Sequence, residues 1–108
     1  VDAAVLQFDG LRIDTARREV QRQGQPVELT GTEFELLLML AREPNKVWSR
    51  DDILNRLRGR EADLHTRAVD ILVSRLRAKL GDTSRPGRII HTVWGRGYRF
   101  TARPAGSP

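Results

Sequence analysis

Arg67-Ala68-Val69-Asp70-Ile71-Leu72-Val73-Ser74-Arg75-Leu76-Arg77-Ala78-Lys79-Leu80 is followed, after a turn containing glycine and proline, by a segment that closes on Trp94-Gly95-Arg96-Gly97-Tyr98-Arg99-Phe100. At about 100° per residue, Val69, Val73, Leu76 and Leu80 share one narrow sector, the mark of a helix whose apolar stripe faces a core. Arg67, Ile71, Ser74, Arg75 and Ala78 fall on the opposite side, with Asp70 and Arg77 along one edge and Leu72 and Lys79 along the other. Inserted into a groove of nucleic acid, such a helix would set its outer face on bases and its edges on phosphates. Ile71 lies mid-face, where a β-branched apolar side chain needs something to cover it, and a thymine methyl group fits that need. Leu72 reads either as core rim or as a base contact.

Beyond the helix, Arg88-Ile89-Ile90-His91-Thr92-Val93 and Tyr98-Arg99-Phe100-Thr101 alternate as the two strands of a hairpin, which would bury Ile90, Val93 and Tyr98 or Phe100. Gly95 and Gly97 allow the positive φ that a tight tip needs, and the tip would present Arg96 to a minor groove or a phosphate. Trp94 reads either as a contact or as a shield over the hairpin base. This Gly-x-Gly does not cradle a nucleotide phosphate, because no helix N-terminus and no P-loop lysine follow it.

Charge is distributed to match. From His65 onward, nine Lys/Arg face two acids, whereas residues 1–64 carry ten basic and twelve acidic side chains. Seventeen of the nineteen cations are Arg, whose planar guanidinium suits phosphate oxygens and guanine edges. A basic, arginine-rich C-terminal half is the electrostatic footprint expected of a surface that neutralises phosphates.

The front half supplies the scaffold. Val5-Leu6-Gln7-Phe8, Leu11-Arg12-Ile13, Glu19-Val20-Gln21-Arg22 and Pro26-Val27-Glu28-Leu29 read as a small antiparallel meander. Thr30-Gly31-Thr32-Glu33 matches a capping box, so a helix starts there. Phe34, Leu37, Leu38, Leu40 and Ala41 make its apolar side, and Glu43-Pro44-Asn45 stops it. Ser49-Arg50-Asp51-Asp52 caps a second, short helix that turns Ile53, Leu54 and Leu57 inward and ends by Gly59. Thr66 or Asp63 is placed to cap the third.

With 108 residues, of which 39% are apolar, the chain fits one domain with one modest core. No apolar run nears the roughly 20 residues that span a bilayer, and no leader is evident, so a soluble, cytoplasmic protein is expected. Without cysteine, and with His65 and His91 far apart, no metal or cofactor is expected. No paired carboxylates or nucleophile-base pair converge, so no enzyme is expected; Asp51-Asp52 reads as helix-N-terminal charge.

Five ordered motifs, Leu29-Thr30-Gly31-Thr32-Glu33-Phe34-Glu35-Leu36-Leu37, Val47-Trp48-Ser49-Arg50-Asp51, Arg67-Ala68-Val69-Asp70, Ser74-Arg75-Leu76-Arg77-Ala78-Lys79-Leu80-Gly81 and Thr92-Val93-Trp94-Gly95-Arg96-Gly97-Tyr98-Arg99-Phe100, resemble the effector domain of OmpR/PhoB-type response regulators. Leu57-Arg58-Gly59-Arg60-Glu61 and Thr92-Val93-Trp94-Gly95 are closer to the OmpR subgroup. The resemblance implies an α+β winged helix-turn-helix over residues 1–103, with a four-stranded antiparallel N-terminal sheet, three helices and a C-terminal β-hairpin wing, followed by a flexible tail at 104–108.

The same resemblance implies sequence-specific binding of double-stranded DNA in transcriptional control, with helix 66–80 in the major groove and wing 89–101 in the minor groove. Arg58 and Arg67 would anchor phosphates. Ile71, Leu72, Ser74 and Arg75 would face bases or nearby backbone, while Arg77, Thr92, Trp94 and Arg96 would add backbone or minor-groove contacts. Leu72, Ser74, Ala68 and Trp94 depart from His, Arg, Thr and Arg of PhoB-like members, which shifts base preference toward apolar contacts and shape. Also implied are a second copy of the chain on direct repeats, RNA polymerase on loop 59–64, and a phosphorylated receiver domain that this chain lacks. The alternative is a winged helix that binds protein and has lost specific DNA binding.

Overall fold

The computed structural model describes residues 5–57, 66–82 and 88–104. Strands β1 (Val5–Phe8), β2 (Leu11–Asp14), β3 (Glu19–Arg22) and β4 (Gln25–Val27) form an antiparallel sheet in that order. Its alternation is the expected one: Leu11, Ile13 and Val20 are buried, and the intervening Arg12 and Gln21 face solvent. The last strand begins one residue earlier than the sequence pattern indicated, because Arg22 pairs directly with Gln25. Gln23 and Gly24, at φ 51° and 80°, then form the two-residue turn whose twist matches the strands. Pro26 is tolerated because β4 is an edge strand.

Helices α1 (Gly31–Arg42), α2 (Arg50–Leu57) and α3 (Thr66–Leu80) pack on one another. The capping box at α1 is complete: Thr30 Oγ1 accepts from the Glu33 amide and the Glu33 carboxylate accepts from the Thr30 amide. At α2, Ser49 Oγ accepts from the Asp52 amide; the expected stop at Gly59 and the cap at Asp63 lie outside the described residues. On α3, Val69, Val73, Leu76 and Leu80 are all buried, as the period required. The helix ends in a Schellman turn in which Gly81, at φ 72°, donates to Ala78 O and Asp82 to Arg77 O. Arg22 reaches from β3 to cap Leu80 O.

The apolar stripe of α1 is wider than the sequence pattern indicated, since Leu36 is fully buried as well. A helix packed against α2, α3 and the C-terminal sheet is covered on more than one side. Even Glu33 is only 2% exposed, and its Oε1 accepts from Lys79 Nζ at 2.5 Å. Lys79 was expected at an edge of the third helix facing phosphates; its ammonium is instead tied to α1.

The C-terminal hairpin is β6 (Ile90–Val93) and β7 (Gly97–Phe100), and it is not a free hairpin. Val47–Trp48 adds a strand, β5, on the far side of β7, giving a three-stranded sheet in the order β5-β7-β6. Two residues are too few for alternation to announce a strand, so this pairing was not legible. It gives Gly97 a second duty: a Cβ there would stand 1.9 Å from the Trp48 carbonyl oxygen. Tyr98 and Phe100 are both buried, being two apart on one face, whereas Val93 is half-buried. Asp82 is buried and accepts the amides of Arg88, Ile89 and Ile90, which sets the path of the chain into β6. Pro104 bridges to Phe8 of β1; residues 105–108 lie outside the described residues.

Candidate nucleic-acid interface

The outer face of α3 carries Arg67, Ile71, Ser74, Arg75 and Ala78, all exposed. Ile71 is 46% exposed in the middle of that face. Full burial of an apolar side chain of this size stabilises by roughly 1.5–3 kcal/mol, so a partner that covers Ile71 gains part of that energy. Leu72, the other apolar residue assigned to this face by resemblance, is only 8% exposed and packs in the core cluster. One residue of rotation, about 100°, is enough to carry it from the face to the rim.

Two of the four residues expected to add backbone or minor-groove contacts, Arg77 and Thr92, bond to each other. Arg77 Nε and Nη2 donate to Ile90 O at 2.9 and 2.6 Å, and Nη2 also donates to Thr92 Oγ1 at 2.6 Å. The guanidinium also lies 5.5 Å from the Tyr98 ring centroid. Arg77 and Thr92 thus join α3 to β6. The wing tip is Trp94-Gly95-Arg96, held by the Arg96 amide on Val93 O. Gly95 takes φ 76°, Arg96 is exposed, and Trp94 is 83% exposed, so it does not shield the hairpin base. Arg58 and loop 59–64 lie outside the described residues.

Between helix and wing lies a junction that sequence reasoning did not single out. Asp70 Oδ1 accepts from Arg50 Nε of α2 at 2.7 Å and from the Tyr98 hydroxyl of β7 at 2.5 Å. Burial pushes the Asp70 carboxyl up, but those two bonds outweigh it and hold the group below its usual range. Burial first, and the neighbouring carboxylate second, push the Tyr98 phenol up to about 12. The bond to Asp70 raises Arg50. A signal existed in the sequence: Asp70 is the one acid in an otherwise basic helix.

The family described as "Transcriptional regulatory protein, C terminal" matches residues 24–100. The chain belongs to that family. Among relatives of this regulatory C-terminal domain, the transcriptional regulatory protein CseB of Streptomyces avermitilis is 46% identical over 101 residues, covering 94% of the chain and 41% of that protein. The transcriptional regulatory protein SrrA of Staphylococcus aureus is 40% identical over 105 residues, covering 96% of the chain and 44% of that protein. The domain thus spans less than half the length of these curated relatives.

In solved structures, the Klebsiella pneumoniae RstA DNA-binding domain, in complex with the RstA box, superposes with a TM-score of 0.81 at 36% identity, covering 92% of the chain and 98% of that one. DrrB of Thermotoga maritima, an OmpR/PhoB homologue, gives 0.83 at 34% identity, covering 93% and 45%. These likenesses extend to the N-terminal strands that precede residue 24, and the fold is the expected winged helix. Among the described residues, no helix is long and apolar enough to cross a membrane.

Proposed function

We propose that this chain is the effector domain of a two-component response regulator that binds double-stranded DNA with sequence preference and thereby controls transcription. Helix α3 enters the major groove and the wing meets the adjacent minor groove. The observation that carries the reading is the exposed Ile71 set among Arg67, Ser74 and Arg75 on the outer face of α3, an apolar reader framed by cations. The RstA domain, of the same fold, is solved on its box, which supports the same mode here.

In this reading Arg67 anchors a phosphate, and Ile71, Ser74 and Arg75 face base edges. Leu72 supports Ile71 from the core, Trp94 and Arg96 meet the minor groove, and Arg58 adds a phosphate contact ahead of α3. A second copy binds a direct repeat, loop 59–64 meets RNA polymerase, and a receiver domain outside this chain supplies the control. The setting is cytoplasmic, and the domain performs no catalysis and uses no cofactor or metal.

Selection of binding sites from randomised duplex DNA, followed by salt titration on the winner and on a scrambled duplex, tests this reading. Enrichment of a motif, repeated in one orientation about one helical turn apart, is the expected result. Salt-sensitive binding without enrichment would reduce the domain to a nonspecific binder, and no binding would favour the protein-interaction reading.

A further inference from the structure

We infer that Asp70 is a positioning residue: held between Arg50 and Tyr98, it fixes the wing relative to the recognition helix, and so the register in which both reach adjacent grooves of one duplex. The inference rests on the DNA-binding reading above. An acid on the helix that faces phosphates opposes binding by charge alone, so its presence there asks for another explanation. One oxygen of Asp70 supplies it, joining the first turn of α2, α3 and β7 through two short bonds.

Pairing of β7 with β5 and the buried Ile90 and Phe100 seat the hairpin; one polar tie to α3 would fix its distance there but not its tilt. The second tie, Arg77 to Ile90 O and Thr92 Oγ1, stands seven residues further along α3, two turns on, about 10 Å away and on nearly the same face. Thr92 and Tyr98 are directly opposed across the hairpin. Ties from two points on the helix therefore converge on one cross-strand pair, which defines an orientation as well as a distance. Arg50 also offsets the Asp70 charge toward an approaching phosphate.

Two substitutions separate positioning from charge. Asp70→Ala removes the negative charge together with the oxygen that accepts from Arg50 and Tyr98; were charge its whole role, affinity for selected and scrambled duplexes would rise alike. Positioning predicts that the ratio of selected to scrambled affinity falls, by roughly three- to tenfold. Tyr98→Phe keeps the buried ring and the net charge, loses only the hydroxyl, and should lower the ratio while leaving scrambled binding unchanged. It decides the matter if the Asp70 variant does not fold.

The chain has no cysteine, so spin labels at Ala78→Cys and Trp94→Cys report the helix-to-wing distance without DNA. A narrow distribution that broadens with Tyr98→Phe is expected. An unaltered ratio with an unaltered distribution would overturn the inference and leave the DNA reading standing. An unsubstituted chain that selects no duplex would overturn both.

Discussion

Glu33 of α1 and Lys79 of α3 meet at 2.5 Å, the carboxylate almost wholly buried and the ammonium reaching it from the helix edge. The same Glu33 oxygen accepts the Thr30 amide, so one side chain closes the cap of α1 and joins α1 to the recognition helix. Glu33→Ala leaves a helix-end donor without its partner and should cost about 2 kcal/mol in denaturant unfolding, with Glu33→Gln costing less because its amide oxygen can still accept.

The same pair makes a pH prediction. Burial pushes Glu33 up, but Lys79 and Thr30 outweigh it, leaving the carboxyl below its ordinary 4.5. A depressed folded value means that its contribution is complete above the unfolded value and is lost as pH falls through the folded one. Acid unfolding curves of the unaltered chain and of Glu33→Gln should therefore diverge above about pH 4.5 and converge below it.

Tyr98 is the single tyrosine, so phenolate absorbance reports it alone. Its titration should centre near 12 rather than 10. Because the folded value is raised, its contribution to stability is full below the unfolded value and disappears as pH rises through the folded one. Asp70→Asn should bring the midpoint part of the way back, since burial, the larger cause, remains. An unchanged midpoint would mean that the hydroxyl does not bond to Asp70 in solution.

Gly97 and Gly95 should respond differently to alanine. At Gly97 the added carbon meets the Trp48 carbonyl oxygen at 1.9 Å and φ is 142°, whereas at Gly95 φ is 76° with open space around it. Gly97→Ala should cost about 3 kcal/mol or more by separating β5 from β7, and Gly95→Ala about 1 kcal/mol. Equal denaturation midpoints would contradict the close approach of the two strands.

Arg67 and Ile71 should separate affinity from discrimination. Arg67→Ala should weaken binding to selected and scrambled duplexes alike and reduce the salt slope by about one; unchanged affinity across several salt concentrations would refute a phosphate contact. Ile71→Ser should lower the ratio between the duplexes more than it lowers total binding. A constant ratio would mean that Ile71 reads no base.

Trp94 is exposed and Trp48 is buried, so an aqueous quencher reaches chiefly Trp94. Duplex DNA should protect that emission, and Trp94→Ala should weaken binding while changing stability by no more than about 0.5 kcal/mol. Emission that stays equally quenchable on bound protein would place Trp94 away from the duplex.

Much of this architecture is written locally. Capping at Thr30 and Ser49, the 3.6-residue spacing of Val69, Val73, Leu76 and Leu80, and glycines at 24, 81 and 95 each act within a few residues, where chain geometry leaves few alternatives. The outward Arg67, Ile71 and Arg75 follow from the same period, because a helix with one buried stripe must expose the other. Leu72 was ambiguous for the same reason: a residue at the stripe's edge goes where the neighbouring helices leave room.

Only the tertiary structure decided which polar groups meet. Residues 50, 70 and 98 belong to three different elements, and 22 and 80, like 33 and 79, to two; no periodicity links them. Asp82 on three amides, Val47–Trp48 beside β7, and Arg77 on Ile90 and Thr92 likewise arise from long-range packing. Apolar pattern specifies which faces are hidden, since burial is nondirectional; hydrogen bonds need a partner within about 3 Å at a suitable angle, and that is settled only once the elements have packed.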